Sequence, residues 1–277
     1  MGGVATGKAI RRFLVYAFLT LGGVVMVLPF YWMLVTAVSP ASDIISFPPR
    51  WFPSHVTFEH FANAWARAPW FVYYQNSLIV AVISVGLSML FGLFAAYAFA
   101  VYRFPLQTPL FLLILGTLMV PVQVSSVALY VLLARIGWVD TYAGILAPNF
   151  ASALGVFLIR QAIGTIPMDL IEAARIDGTS EVGIVLKIVA PSIKTMLAVV
   201  ALILFLGSWN DFLWPTIVIN SEGLRTLPVG IALFKDPYGI DYGPLMAGAV
   251  IATAPMLIAY ALSQRFMIRG VTLTGLK

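Results

Sequence analysis

The sequence predicts an all-α membrane protein with six transmembrane helices in a single domain spanning 1–277. Three observations predict it. Of its 277 residues, 61% are hydrophobic. Only 10% are charged, against about 25% in soluble domains. The apolar residues also gather into six runs, each close to the ~20 residues a helix needs to cross a bilayer. Irregular backbone facing lipid leaves its polar groups unsatisfied, so runs this apolar are helices.

The expected spans are about 13–37, 78–101, 108–134, 142–160, 196–219 and 244–264. Pro29, Pro121, Pro148, Pro215 and Pro255 fall inside or near the ends of these spans. Each removes a backbone donor and kinks its helix where neighbours can absorb the loss. The first run follows "KAIRRF". It is too long for a signal peptide and no small-residue cleavage site stands out after it, so it reads as a retained anchor.

Lys and Arg set the orientation. With the N-terminus inside, the inner side carries Lys8, Arg11, Arg12, Arg103, Arg160, Arg175, Lys187, Lys194, Arg265, Arg269 and Lys277, eleven in all. The outer side carries five: Arg50, Arg67, Arg135, Arg225 and Lys235. Six spans return the C-terminus to the inside. The net charge of +5 is explained by this bias and does not indicate nucleic-acid binding. The outer loop at 39–70 is rich in Pro, Trp and Phe. That composition packs against something rather than acting as a linker, and short helices at the membrane interface are expected there. The other sizeable outer loop is 220–242.

Several function classes are excluded or disfavoured. There are no cysteines and only two histidines, His55 and His60. A disulfide framework, a thiol nucleophile and a histidine–cysteine metal site are therefore ruled out. Asp211 is the only acid inside an expected span, so an intramembrane enzyme lacks its constellation. A self-sufficient secondary transporter typically shows an inverted repeat and intramembrane charges, and neither is evident.

One inner stretch breaks the apolar pattern. The segment at about 165–191 contains "PMDLIEAARIDGTSEVGIVLKIVAP". Pro167 suits a first helical position, and Asp169 and Glu172 sit near the positive end of a helix. Gly178 ends that helix. Thr179 or Ser180 caps a second one, which runs on until Pro191 imposes a boundary. A helix this short is marginal alone. It docks either on its own membrane bundle or in the groove of another protein.

The residues 172–178, "EAARIDG", then nine residues, then "IVAP" at 188–191, resemble the EAA loop of ABC importer permeases. The family pattern is E-A-A-x-x-D-G, nine residues, I-x-L-P; here Ala190 stands where Leu is usual. "NSLIVA" at 76–81, "RFP" at 103–105, "MVPVQV" at 119–124 and "WNDFLWP" at 209–215 are similar to the carbohydrate-type, MalG-like members. The similarity covers essentially the whole chain.

The resemblance implies a type I ABC importer permease fold in a bacterial or archaeal cytoplasmic membrane. It implies as partners a second related permease, two ATP-binding subunits and an extracytoplasmic substrate-binding protein. The 165–191 loop would be the coupling helix pair, with Glu172 pairing with a basic residue of an ATPase. Ala173 and Ala174 would permit close approach, and Asp177 and Gly178 would hold the turn. The chain has no GxxxxGK[ST] phosphate loop, so it is not the ATPase itself, and no cofactor is expected on it. ATP and Mg would sit on the partner ATPases. The tail "QRFMIRGVTLTGLK" departs after Gly270 from the Gly- and Ala-rich family ending, which argues against its regulating the ATPase.

Polar side chains inside spans face a cavity or a partner helix. The candidates are Asn76, Gln123, Ser125, Ser126, Asn149, Asn210 and Asp211. A sugar offers hydroxyls and a C–H face, so Trp209, Asn210 and Asp211 meet its needs, and Gln123 and Asn149 are able to join them. The same residue types also bridge helices or mark interfaces, and Asp211 also suits a helix-end contact. In maltose-type relatives most sugar contacts belong to the partner permease. The expected solute is a sugar or oligosaccharide. Glycerol-3-phosphate or a glycerophosphodiester is the alternative, disfavoured because no Lys or Arg lies well inside a span.

Overall fold

The computed structural model describes residues 2–232, 235–236 and 239–274, with side chains placed at 10–232, 241–258 and 260–261. The side chains of Lys8, Lys235, Arg265, Arg269 and Lys277, and hence the chemistry of the tail, lie outside the described residues.

The chain is helical almost throughout. The first apolar run is one helix, α1 (Gly2–Val38), continuous through Pro29. Two short helices follow in the 39–70 loop, α2 (Ala41–Ile44) and α3 (Glu59–Arg67). The second run is α4 (Trp70–Val101). It starts well before residue 78 because Asn76 and Ser77 are buried with hydrogen-bond partners, so polarity does not end the helix there.

The third run, expected as one span, is two helices. α5 (Gln107–Thr117) and α6 (Val122–Arg135) meet at a bend of 97°. Pro121 has no N–H to donate and takes extended dihedrals as the N-cap of α6, so a straight helix stops before it. The fourth run also bends, by 44°: α7 (Tyr142–Leu146), a 3₁₀ turn holding Pro148, then α8 (Ala153–Ile163).

The polar segment forms α9 (Met168–Ile176) and α10 (Glu181–Ile184), followed by a π-helical turn (Val185–Val189) and α11 (Ala190–Ser192). Pro191 therefore does not end the second helix. The widened π turn just before it relieves the clash a proline makes with the preceding turn. The boundary falls at Ile193, where the chain bends by 87° into α12 (Lys194–Trp209). The fifth run breaks at 210–212 before α13 (Leu213–Val218). α14 (Leu227–Ala232) leads to a two-residue antiparallel pair, β1 (Lys235–Asp236) with β2 (Gly239–Ile240), Lys235 opposite Ile240. The last helix is α15 (Tyr242–Thr274), with Pro255 inside. Among the described residues, two helices are long and apolar enough to cross a membrane, and five if each bent pair is one span. Tyr242–Ile258 adds a shorter apolar helix.

The contacts gather into two compact units, Met1–Pro69 with Ile231–Thr253, and Trp70–Gly230 with Ala254–Lys277. In the first, directional bonds order the 39–69 loop. Tyr31 Oη donates to the Trp51 carbonyl (2.6 Å), and His60 Nε2 lies 2.9 Å from the Ser39 carbonyl. Asp43, almost fully buried, accepts from the Ser54 N–H (2.7 Å) and pairs with Arg50 (3.0 Å). The Ser54 bonds and then Arg50 hold its carboxyl below the usual range.

The second unit is built on α4. Ser84, Ser88, Gly92 and Ala96 recur every four residues on one helix face; three are buried below 5% exposure and Gly92 is buried with them. Such a small-residue stripe lets another helix approach closely. A Cβ on Gly92 would already touch Ile159 Cδ1 of α8 at 3.6 Å. Around this seam lies the larger core, with Leu93, Tyr97, Val156, Ile159, Ile163, Ile171, Ile184, Val189 and Val200. A second cluster holds Val80, Leu133, Ile145, Leu146, Trp214, Val218 and Ile219.

Candidate functional site

The polar segment is a helix with two unlike faces. Ile171 and Ala174, 1% and 7% exposed, enter the larger core. Glu172, Ala173, Ile176 and Asp177 face outward. Ile176 is 86% exposed, an unusual position for a large apolar residue. Ala173 faces outward, while Ala174 packs inward because it lies one turn from Ile171.

The end of α9 is a Schellman motif. The Thr179 N–H donates to the Ala174 carbonyl and the Gly178 N–H to the Arg175 carbonyl, both at 3.0 Å. This closure needs a left-handed residue after the cap, and Gly178 supplies it at φ 76°. Asp177, at the cap, donates its own N–H to the Ala173 carbonyl. Of the two possible caps for the next helix, Ser180 is used: its Oγ accepts from the Gly183 N–H (3.2 Å).

A charged network that sequence reasoning did not find joins these helices to α4. Arg175 Nε and Nη2 donate to Glu181 Oε1 (2.7 Å) and Oε2 (3.3 Å). Tyr97, a buried residue of α4, donates from Oη to Glu181 Oε2 (2.6 Å). The Arg175 guanidinium also lies over the Tyr102 ring at 5.4 Å. Arg175 and then Tyr97 pull the Glu181 carboxyl down to about 2 and the pair raises Arg175. Nearby, Arg160 of α8 covers the Phe111 ring at 4.0 Å and donates to the Phe99 carbonyl (3.1 Å).

The candidate solute residues are scattered. Trp209 is buried, stacked on Phe205 (5.5 Å) and near Tyr74 (6.3 Å). Asn210 is exposed and turns back to the Leu206 carbonyl (2.9 Å). Asp211 accepts from the Trp214 N–H in the first turn of α13 (3.3 Å). Gln123 is exposed on the first turn of α6, where its carbonyl accepts from Ser126. Asn149 is half-buried and its carbonyl accepts from Ser88 (2.7 Å). Among the described residues no hydrogen bond draws Gln123 or Asn149 to the Trp209–Asp211 group.

Asn76 ties chain segments together. Its Nδ2 donates to the Gly223 and Arg225 carbonyls, both at 2.9 Å, and its Oδ1 accepts from Tyr142 Oη. Asp140 does similar work: its Oδ1 accepts from the N–H groups of Asn220 and Ser221, both at 2.9 Å, and these bonds hold its carboxyl low. Among the described residues no group of three or more His, Cys, Asp or Glu side chains is placed to hold a metal.

The model of the binding-protein-dependent transport system inner membrane component family matches residues 88–273. The chain is 37% identical over 226 residues to the arabinooligosaccharides transport system permease protein AraQ of Halalkalibacterium halodurans, covering 81% of each. It is 30% identical over 282 residues to the sn-glycerol-3-phosphate transport system permease protein UgpE of Brucella abortus, covering 96% of this chain and 98% of that one. In fold it matches a chain of a bacterial ABC transporter involved in the import of the acidic polysaccharide alginate, with a TM-score of 0.82, 19% identity, and coverage of 94% and 97%. The inward- and outward-facing sides of the polar helix thus belong to a transport fold, and the chain belongs to the binding-protein-dependent transport system inner membrane component family.

Proposed function

We propose that this chain is the permease subunit of an ATP-driven, binding-protein-dependent importer of a sugar or oligosaccharide, and that α9 is the helix through which ATPase subunits drive it. The observation that carries this reading is the two-faced α9: Ile171 and Ala174 packed into the core, and Glu172, Ala173 and Ile176 exposed on the other side. Such a helix sits in a groove through an apolar anchor flanked by charge. The Schellman turn at Gly178 keeps it a separate short handle. ATP binding closes the ATPase pair, α9 moves with it, and the spans rock between inward- and outward-open states.

α1, α4, the bent runs at 107–135 and 142–163, α12 with α13, and α15 supply six crossings, with both termini and the 165–191 loop in the cytoplasm. The positive-charge bias supports that orientation. A second permease and an extracytoplasmic binding protein complete the importer, and ATP with Mg belongs to the ATPases. The higher identity to an oligosaccharide permease favours a sugar over glycerol-3-phosphate. In the solute path, Gln123 and Asn210 are the candidates with exposed side chains.

The test is purification of the tagged chain from its native membrane in mild detergent. An ATPase and a second permease are expected with the wild type, and the ATPase is expected to be lost from Glu172→Lys and from Gly178→Asp. A chain that emerges alone, with the variants unchanged, contradicts the reading.

A further inference from the structure

We propose that Arg175, Glu181 and Tyr97 form a clamp that makes the α9 helix and the inner end of α4 move as one body. This rests on the reading of α9 as the helix the ATPase moves. Nine residues form α9, and only Ile171 and Ala174 of them are buried. Apolar contact resists separation but is non-directional, so two buried side chains alone leave a short helix free to slide or roll. The turn after it is closed by hydrogen bonds back to α9's own last turn, which do not tie the helix to α4.

The missing direction comes from the clamp. Arg175 lies on α9, Glu181 opens α10 and Tyr97 lies on α4, so one carboxylate joins three helices. The guanidinium fork fixes the orientation as well as the distance of Glu181, and charge-assisted bonds are about twice as strong as neutral ones. Tyr97 is 3% exposed, so its hydroxyl is a fixed point within the packed unit. Arg160 bonds the Phe99 carbonyl of α4, which holds the same end of that helix from α8. A push on α9 therefore reaches α4 without being absorbed at Gly178. Arg175, Glu181 and Tyr97 are positioning residues in this account.

The chain has no cysteine, so Leu170→Cys on α9, away from the residues assigned to the ATPase, and Leu90→Cys on α4, both exposed, give a clean pair of spin-label sites. The complete importer in lipid nanodiscs is compared at rest and after trapping with MgATP and vanadate. In the otherwise wild-type chain the label distance is expected to stay narrow and unchanged between the two states. Glu181→Gln and Tyr97→Phe are expected to keep the ATPase bound but to broaden or shift the distance on trapping. A merely stabilising role would not make that distance depend on the trapped state. The proposal is overturned if the wild-type distance shifts on trapping, or if both variants stay as narrow as wild type. Loss of ATPase capture by the wild-type chain would instead overturn the reading of α9 itself, and the clamp with it.

Discussion

Glu181 is the residue that most changes the account of the inner segment. In sequence it is one more polar residue after a helix break; in the structure it takes two bonds from Arg175 and one from Tyr97. Its carboxyl is held at about 2 against an ordinary 4.5. A depressed acid contributes stability that is fully present above the ordinary value and is lost as the pH falls toward the folded one. The clamp therefore stays charged from pH 8 down through pH 5 and opens only in strong acid. NMR of carboxyl-labelled protein, with Glu181 assigned by Glu181→Gln, is expected to show no titration of this group above pH 4. A midpoint near 4.5 contradicts the clamp geometry. Gly178 was legible from the sequence because a helix stop is local chemistry: a glycine one position past the cap allows the left-handed closure. Tyr97 was not, because it meets Glu181 from 84 residues away, and no local pattern marks such a pair. Ala173 and Ala174 look alike in sequence, yet one faces out and the other in, a distinction fixed only by where Ile171 docks.

At the scale of elements, the apolar runs were legible and their breaks were not. Hydropathy averages over a window, and "LGTLMVPVQVSS" is apolar on both sides of Pro121, so the 97° turn leaves no dip in it. Proline predicted a kink, but its size depends on what the freed backbone finds. Likewise Asn76 and Ser77 look like a helix boundary, yet both are buried inside α4. There they latch the segment that follows α13: Asn76 holds Gly223 and Arg225, and Ser77 Oγ accepts from the Leu227 N–H (2.8 Å). Asn76→Ala removes its bonds to the Gly223 and Arg225 carbonyls and to the Tyr142 hydroxyl. Each such bond contributes about 0.5–1.5 kcal/mol net. Amide exchange at 222–227 is expected to quicken in this variant while 171–184 keeps its protection. Equal protection in both segments contradicts the latch.

For the molecule as a whole, a lipid-dissolved chain has little reason to keep a polar, two-faced helix unless something in water binds it. The family match makes the chain an inner membrane component of a binding-protein-dependent transport system, and the helix is proposed as the place where another subunit docks. The solute path is the least settled by sequence, since Asn, Gln and Trp serve packing as readily as recognition. In the structure Asn76, Trp209 and Asp211 are engaged in holding the chain together. The central claim is that the outward face of α9 seats on an ATPase. Its most direct test is a photo-crosslinking amino acid at Ile176, irradiated in native membranes. The account predicts a single adduct with the ATP-binding subunit, absent from Glu172→Lys. An adduct confined to this chain, or none, would contradict it.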